Sequence, residues 1–183
     1  MKINTAQYLS DYWKEIHQKL EYLDVKKFEN LKKKIFSLKK KNKIILVGNG
    51  GSASISSHVA VDFSKITGKR AICFNEANLI TCFANDYGYE NWVKESLRAF
   101  SISGDIIILI SSSGKSKNII NACNFAKEKK LFVTTFTGFQ KKNPLSKLGN
   151  INFWVNSNKY NIVEMVHHIW LLSLVDSLIK KKC

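Results

Sequence analysis

The stretch KIILVGNGGSASISSHVAVDFSK, Lys43 to Lys65, decides the fold. Its first part, KIILVG, is a short apolar run without polar alternation, the pattern of a strand buried on both faces of a parallel sheet. The run ends at Gly48, Gly50 and Gly51, which supply a tight turn, and the residues through Lys65 read as a helix. His58 and Asp62 lie one turn apart on that helix. A strand, a glycine turn and a helix in this order open a parallel α/β domain.

The same unit recurs downstream. RAICF, DIIILIS, LFVTTFTG and INFWV read as further strands, with YENWVKESLRAFS and KSKNIINACNFAKEKK as helices between them. The spacing predicts a doubly wound α/β domain with a mainly parallel, five-stranded sheet flanked by helices. Before it, Tyr8, Tyr12, Ile16, Leu20 and Leu23, then Phe28, Leu31, Ile35 and Leu38, recur with helical period and predict two helices within residues 1–40. A last helix, from about Asn161 to Lys181, is apolar nearly all round. Such a helix is buried, and part of it is expected in a subunit interface. No linker, repeat or low-complexity block divides the chain, so residues 1–183 are expected to form one domain with its α/β core over 43–183.

The chain carries 29 Lys and Arg against 14 Asp and Glu, a net charge of +15 that favours anionic partners. Only Arg70 and Arg98 are arginines. Base-reading surfaces favour the arginine fork over lysine, which argues against nucleic acid, and a phosphorylated small molecule is an equally good anionic partner. Cys73, Cys82, Cys123 and Cys183 are widely spaced and form neither a disulfide framework nor a thiolate zinc motif. The N-terminus lacks the order of a signal peptide and no run is long enough to span a bilayer, so a cytoplasmic protein without membrane association is expected.

Ligands of open α/β sheets sit beyond the carboxyl ends of the strands. Two such ends carry unusual loops. In GNGGSAS, Gly48, Gly50 and Ala53 meet a permissive dinucleotide fingerprint, but the nearest acidic residue after the next strand, Glu76, lies past the usual ribose-binding distance. A nicotinamide-dependent oxidoreductase therefore rests on the glycines alone. In SSSGKSKN, Leu109 stands where a Walker loop needs glycine, which excludes that reading. What remains is a cluster of hydroxyls at a helix N-terminus, where free N–H groups and the macrodipole attract an anion. Ser111, Ser112, Ser113 and Ser116 are read as a phosphate cup.

GNGGSAS followed by His58, then ANDYGYEN, GDIIILISSSGKSKNII and TTFTG, resemble in order the signatures of the SIS (sugar isomerase) family, from about Lys43 to Gly138. The likeness is to its branch acting on sedoheptulose 7-phosphate. The resemblance implies that Asn49, Gly50, Gly51 and Ser52 line the sugar, that Asn85 and Asp86 contact it, and that the four serines hold the phosphate. It further implies a homotetramer with sites between subunits.

Ketose–aldose isomerisation takes a proton from one carbon and returns it to the next, so a base and a carbonyl-polarising group are needed. The family supplies a His and a Glu on the helix after the glycine loop and a Gln and a His on the last helix, and these bind zinc. Here the first pair is His58 and Asp62, whose arm is shorter by one methylene. On the last helix one pairing places Met165 and Ser173 at the other two positions, and a shift by one residue places Glu164 and Leu172 there. Either way the family's His is absent. His58, Asp62, Glu164 and His168 form an alternative donor set acceptable to zinc or a similar divalent ion. Without a metal, His168 is the first choice of base and Asp62 the second. The competing reading is a noncatalytic module that binds a phosphosugar or a protein partner.

Overall fold

The computed structural model describes residues 4–179. Cys183 and the last lysines of the chain lie outside that range. Five strands, β1 (Ile44–Gly48), β2 (Ala71–Cys73), β3 (Ile106–Ser111), β4 (Phe132–Thr137) and β5 (Ile151–Trp154), form one sheet in the order β2-β1-β3-β4-β5. Every pairing is parallel. The helices are α1 (Thr5–Leu20), α2 (Val25–Phe36), α3 (Gly51–Thr67), α4 (Ala77–Tyr87), α5 (Trp92–Phe100), α6 (Lys117–Glu128) and α7 (Tyr160–Ser177).

Successive side chains of a strand point to opposite faces, and in a parallel sheet both faces need cover. Ile44 and Leu46 of β1, with Ile106, Ile108 and Ile110 of β3, pack under α2, α3 and α7. Ile45 and Val47, with Ile107 and Leu109, pack under α5 and α6. This two-sided burial explains why the strands read as unbroken apolar runs. The last helix spends most of its apolar surface inside its own chain, burying Ile162, Val163, Val166, Trp170, Leu171, Leu174 and Val175. Tyr160, Met165 and Ile169 are its exposed large apolar side chains.

The central pair β1–β3 is clamped at its start by Asp105, which is fully buried. Its carboxylate accepts hydrogen bonds from the Lys43 and Ile102 backbone N–H groups at 3.0 Å each, from Asn42 Nδ2 at 3.2 Å, and from Lys43 Nζ at 2.7 Å. Burial pushes its pKa up, but these donors outweigh burial and hold it below the usual carboxylate value. A buried carboxylate this well supplied with donors is tolerated where a lone one would not be.

One element departs from the expectation. The residues after β2 form α4, an element that the apolar pattern does not signal. Its N-cap, Glu76, accepts the Leu79 N–H at 3.1 Å, a capping role open to any side chain with a reachable oxygen. None of its residues is fully buried, so its apolar pattern is weak.

His167 shows how finely α7 is oriented. It is fully buried, its Nε2 lies 3.1 Å from the Thr137 carbonyl, and it meets the Phe136 ring edge-on. Burial outweighs the Thr137 bond and pushes its pKa down to about 4, so the folded state keeps it neutral. The unfolded chain takes up a proton near pH 6.5, so this stabilisation is complete above that pH and is lost as the pH falls toward 4. Denaturant titrations of the wild type and His167→Phe across this window should show that the wild type loses about 3 kcal/mol more on acidification than the variant. Equal pH slopes would contradict a buried neutral imidazole.

Candidate functional site

Because β1 and β3 pair in register, Gly48 beside Ile110, their carboxyl ends lie side by side and the loops that follow face each other. The glycine loop leads into α3 through Gly50, whose φ of 55° is the left-handed conformation that glycine adopts without strain. The serine loop leads into α6 with Ser116 at the N-cap. Between them lies a cleft of about 390 Å3 lined by Asn49, Gly50, Gly51, Ser52, Ser111, Ser112, Ser113 and Ser116, with Tyr160 and Glu164 contributed by α7. Its size falls within the range of small-ligand sites.

The serines do more than shape a turn. Ser116 occupies the N-cap yet makes no side-chain cap bond. Instead its hydroxyl pairs with that of Ser111 at 3.1 Å. Ser112 is 5% exposed and its Oγ has no hydrogen-bond partner, a cost the fold bears unless a ligand supplies one. Ser113 takes the bland role, accepting the Lys115 N–H at 3.3 Å in a local turn.

On the opposite wall, Asn49 exchanges two side-chain hydrogen bonds with Asn118 of α6, at 3.0 and 2.9 Å, and its Oδ1 also accepts from the Tyr89 hydroxyl at 3.2 Å. Asn75, after β2, holds both the N–H and the carbonyl of Gly48, at 3.2 and 2.7 Å. The end of β1 is thereby fixed from two sides. Asn118, Tyr160, Asn75 and Tyr89 have no local sequence signal, since each matters through a partner far away in the chain.

Glu164 reaches across from α7 to the first turn of α3. Its carboxylate lies so close to Gly51 that a Cβ there would overlap it. Burial raises its pKa, partly countered by the nearby Ser112 hydroxyl and the Ser52 N–H. Of the residues considered on the last helix, Glu164 is the one that lines the cleft. Met165 and Ser173 are exposed.

His58, Asp62 and His168 assemble elsewhere. His168 Nε2 lies 2.9 Å from His58 Nδ1, and His58 Nε2 lies 3.3 Å from Asp62 Oδ2. The two rings meet edge-on, at 82°. Partial burial and the neighbouring His58 lower the His168 pKa, with Asp62 opposing. None of the three lines the cleft. His168 and Asp62, expected as bases, are therefore committed to this chain of contacts in the single subunit.

The four expected metal donors do not share a focus. Glu164 stands level with Gly51 and His168 level with His58, seven residues apart on α3 and so roughly 10 Å along its axis. Among the described residues no group of three or more His, Cys, Asp or Glu side chains is arranged to hold a metal ion. As arranged, these donors do not fit a divalent ion. Asn85 and Asp86 also stand apart. They lie in the last turn of α4, exposed, with Asn85 Nδ2 donating to Asp86 Oδ1 at 2.9 Å, outside the cleft of the single chain.

The comparisons with known proteins agree with this architecture. The SIS domain model matches residues 9–138. The chain is 38% identical over 118 residues to a phosphoheptose isomerase of Thermodesulfovibrio yellowstonii, a match spanning 61% of this chain and only 59% of that protein. A phosphoheptose isomerase of Helicobacter pylori is 32% identical over 152 residues, covering 79% of this chain and 78% of its own length. The structure of phosphoheptose isomerase from Neisseria gonorrhoeae superposes with a TM-score of 0.84 over 95% of this chain and 96% of that one, and its 24% identity makes this a likeness of fold. With the family model covering most of the α/β core and the glycine and serine loops meeting at one cleft, the chain belongs to the SIS-domain family, with phosphoheptose isomerases among its relatives.

Proposed function

We propose that the protein is an aldose–ketose isomerase acting on a sugar phosphate, with sedoheptulose 7-phosphate as its substrate. The observation that carries this reading is the convergence of a hydroxyl-lined helix N-terminus and a glycine-lined helix N-terminus on one cleft, with the Ser112 hydroxyl buried and unpartnered between them. Helix N-termini and serine hydroxyls are phosphate donors, so the phosphate rests on Ser111, Ser112 and Ser116 beside α6. The sugar then lies along Asn49 to Ser52. Backbone N–H groups at the start of α3 stabilise the enediolate oxygen as charge develops there.

The reading extends to assembly and location. A homo-oligomer, taken as a tetramer, is supported by apolar side chains left exposed on α1 (Tyr8, Trp13), α3 (Val61) and α7 (Met165, Ile169), and the cytoplasm is the compartment that suits the widely spaced cysteines. No helix among the described residues is long and apolar enough to cross a membrane. The second reading, a module that binds a phosphosugar without turning it over, is favoured by one observation. The His58–His168 hydrogen bond takes the expected base out of the cleft.

Incubation with sedoheptulose 7-phosphate separates the two. The isomerase reading predicts conversion to the aldose phosphate, and Ser112→Ala and Ser116→Ala each raising KM about 10-fold or more while kcat changes less, since a lost bond to a charged group costs about 1.5–3 kcal/mol. Saturable binding without product would instead establish the binding module.

A further inference from the structure

Glu164 is the one carboxylate among the described residues lining the cleft. Among the described residues it forms no ion pair, and the neutral donors beside it are the Ser112 hydroxyl and the Ser52 N–H. Its carboxylate stands at the first turn of α3, whose N-cap, Gly50, has no side chain of its own to offer. It is half-buried against a glycine whose lack of a side chain is what lets the carboxylate approach. Holding an unpaired carboxylate in a partly desolvated cleft is unfavourable for stability, and such groups concentrate where chemistry needs them. The other candidates are engaged: His168 with His58, and His58 with Asp62.

We infer that Glu164 is the general base that carries the proton between the two carbons of the bound sugar phosphate. The inference rests on the isomerase reading above. Glu164 takes a proton from C1 of the open-chain ketose, the C1–H electron pair forms the C1–C2 double bond, and the carbonyl electrons move onto O2. The hydroxyl proton passes from O1 to O2 across the cis-enediolate. The O1 electrons then re-form a carbonyl at C1 while Glu164 returns its proton to C2. Atoms and charge balance, and the carboxylate is regenerated. Gly51 matters to this chemistry because any larger residue would displace the carboxylate from the sugar-lining turn.

The test combines turnover, binding and solvent exchange on the full-length protein with sedoheptulose 7-phosphate in D2O. The wild type should incorporate deuterium at the isomerised carbon. Glu164→Gln, nearly isosteric and unable to act as a base, should lose at least ~100-fold in both kcat and exchange while its Kd for the sugar phosphate stays within a few-fold of the wild type. Glu164→Asp, which withdraws the carboxylate by roughly 1.5 Å, should lose kcat but less than Glu164→Gln. It decides the matter if Glu164→Gln does not fold, because full kcat in Glu164→Asp would then overturn the inference. Wild-type turnover and exchange in Glu164→Gln, or a loss confined to binding, would overturn the role of Glu164 and leave the isomerase reading standing. A wild type that binds the sugar phosphate without exchange or turnover would overturn the isomerase reading itself, and this inference with it.

Discussion

The site depends on the in-register pairing of β1 with β3. Five consecutive rungs, from Ile44 beside Ile106 to Gly48 beside Ile110, bring two helix-leading loops to one sheet edge. A one-residue slip would turn every side chain of the strand to the wrong layer, so two cores enforce this register. Asp105 reinforces it from the opposite end, binding the backbone of Lys43 and Ile102 with one carboxylate. The clamp stands at the amino ends of the strands and the cleft at their carboxyl ends. Stability and chemistry are thus separated along the same two strands.

At the cleft, the local electrostatics favour an anion. Two helix N-termini and a set of hydroxyls face inward, and the unpartnered Ser112 Oγ leaves a donor that the protein itself does not satisfy. Glu164 is the exception, a negative charge brought to the α3 end of the same cleft. That asymmetry divides the site. Ser111 and Ser116 mark the side that attracts a phosphate, the glycine side presents a carboxylate to whatever the phosphate tethers, and Ser112 lies between the two. The chain's excess of lysine, behind the net charge of +15, attracts anionic ligands without choosing among them.

The strands and the two loops were legible because their signals are local. Apolar runs two faces deep, glycines at a strand end and serines at a helix start all carry their meaning within a few residues. The helix α4 was not, since its apolar residues are only half-buried. Nor was the division of labour on α7, where Glu164, His167 and His168 sit within five residues of one another. Successive helical residues turn by about 100°, so His167 enters the core while His168 meets α3. Spacing alone placed Glu164 and His168 on one face. Which part of α3 each would meet depended on packing that spacing does not encode. The reciprocal pairing of Asn49 with Asn118, 69 residues apart, is likewise a property of the sheet order.

The account stands or falls on what the cleft holds. A crystal structure of the protein with sedoheptulose 7-phosphate tests this most directly. It should show the phosphate against the hydroxyls of Ser111, Ser112 and Ser116 and the N-terminus of α6, with the carbonyl end of the sugar beside Gly51 and within reach of the Glu164 carboxylate. A phosphate bound among surface lysines, or a cleft left empty at saturating sugar phosphate, would contradict it.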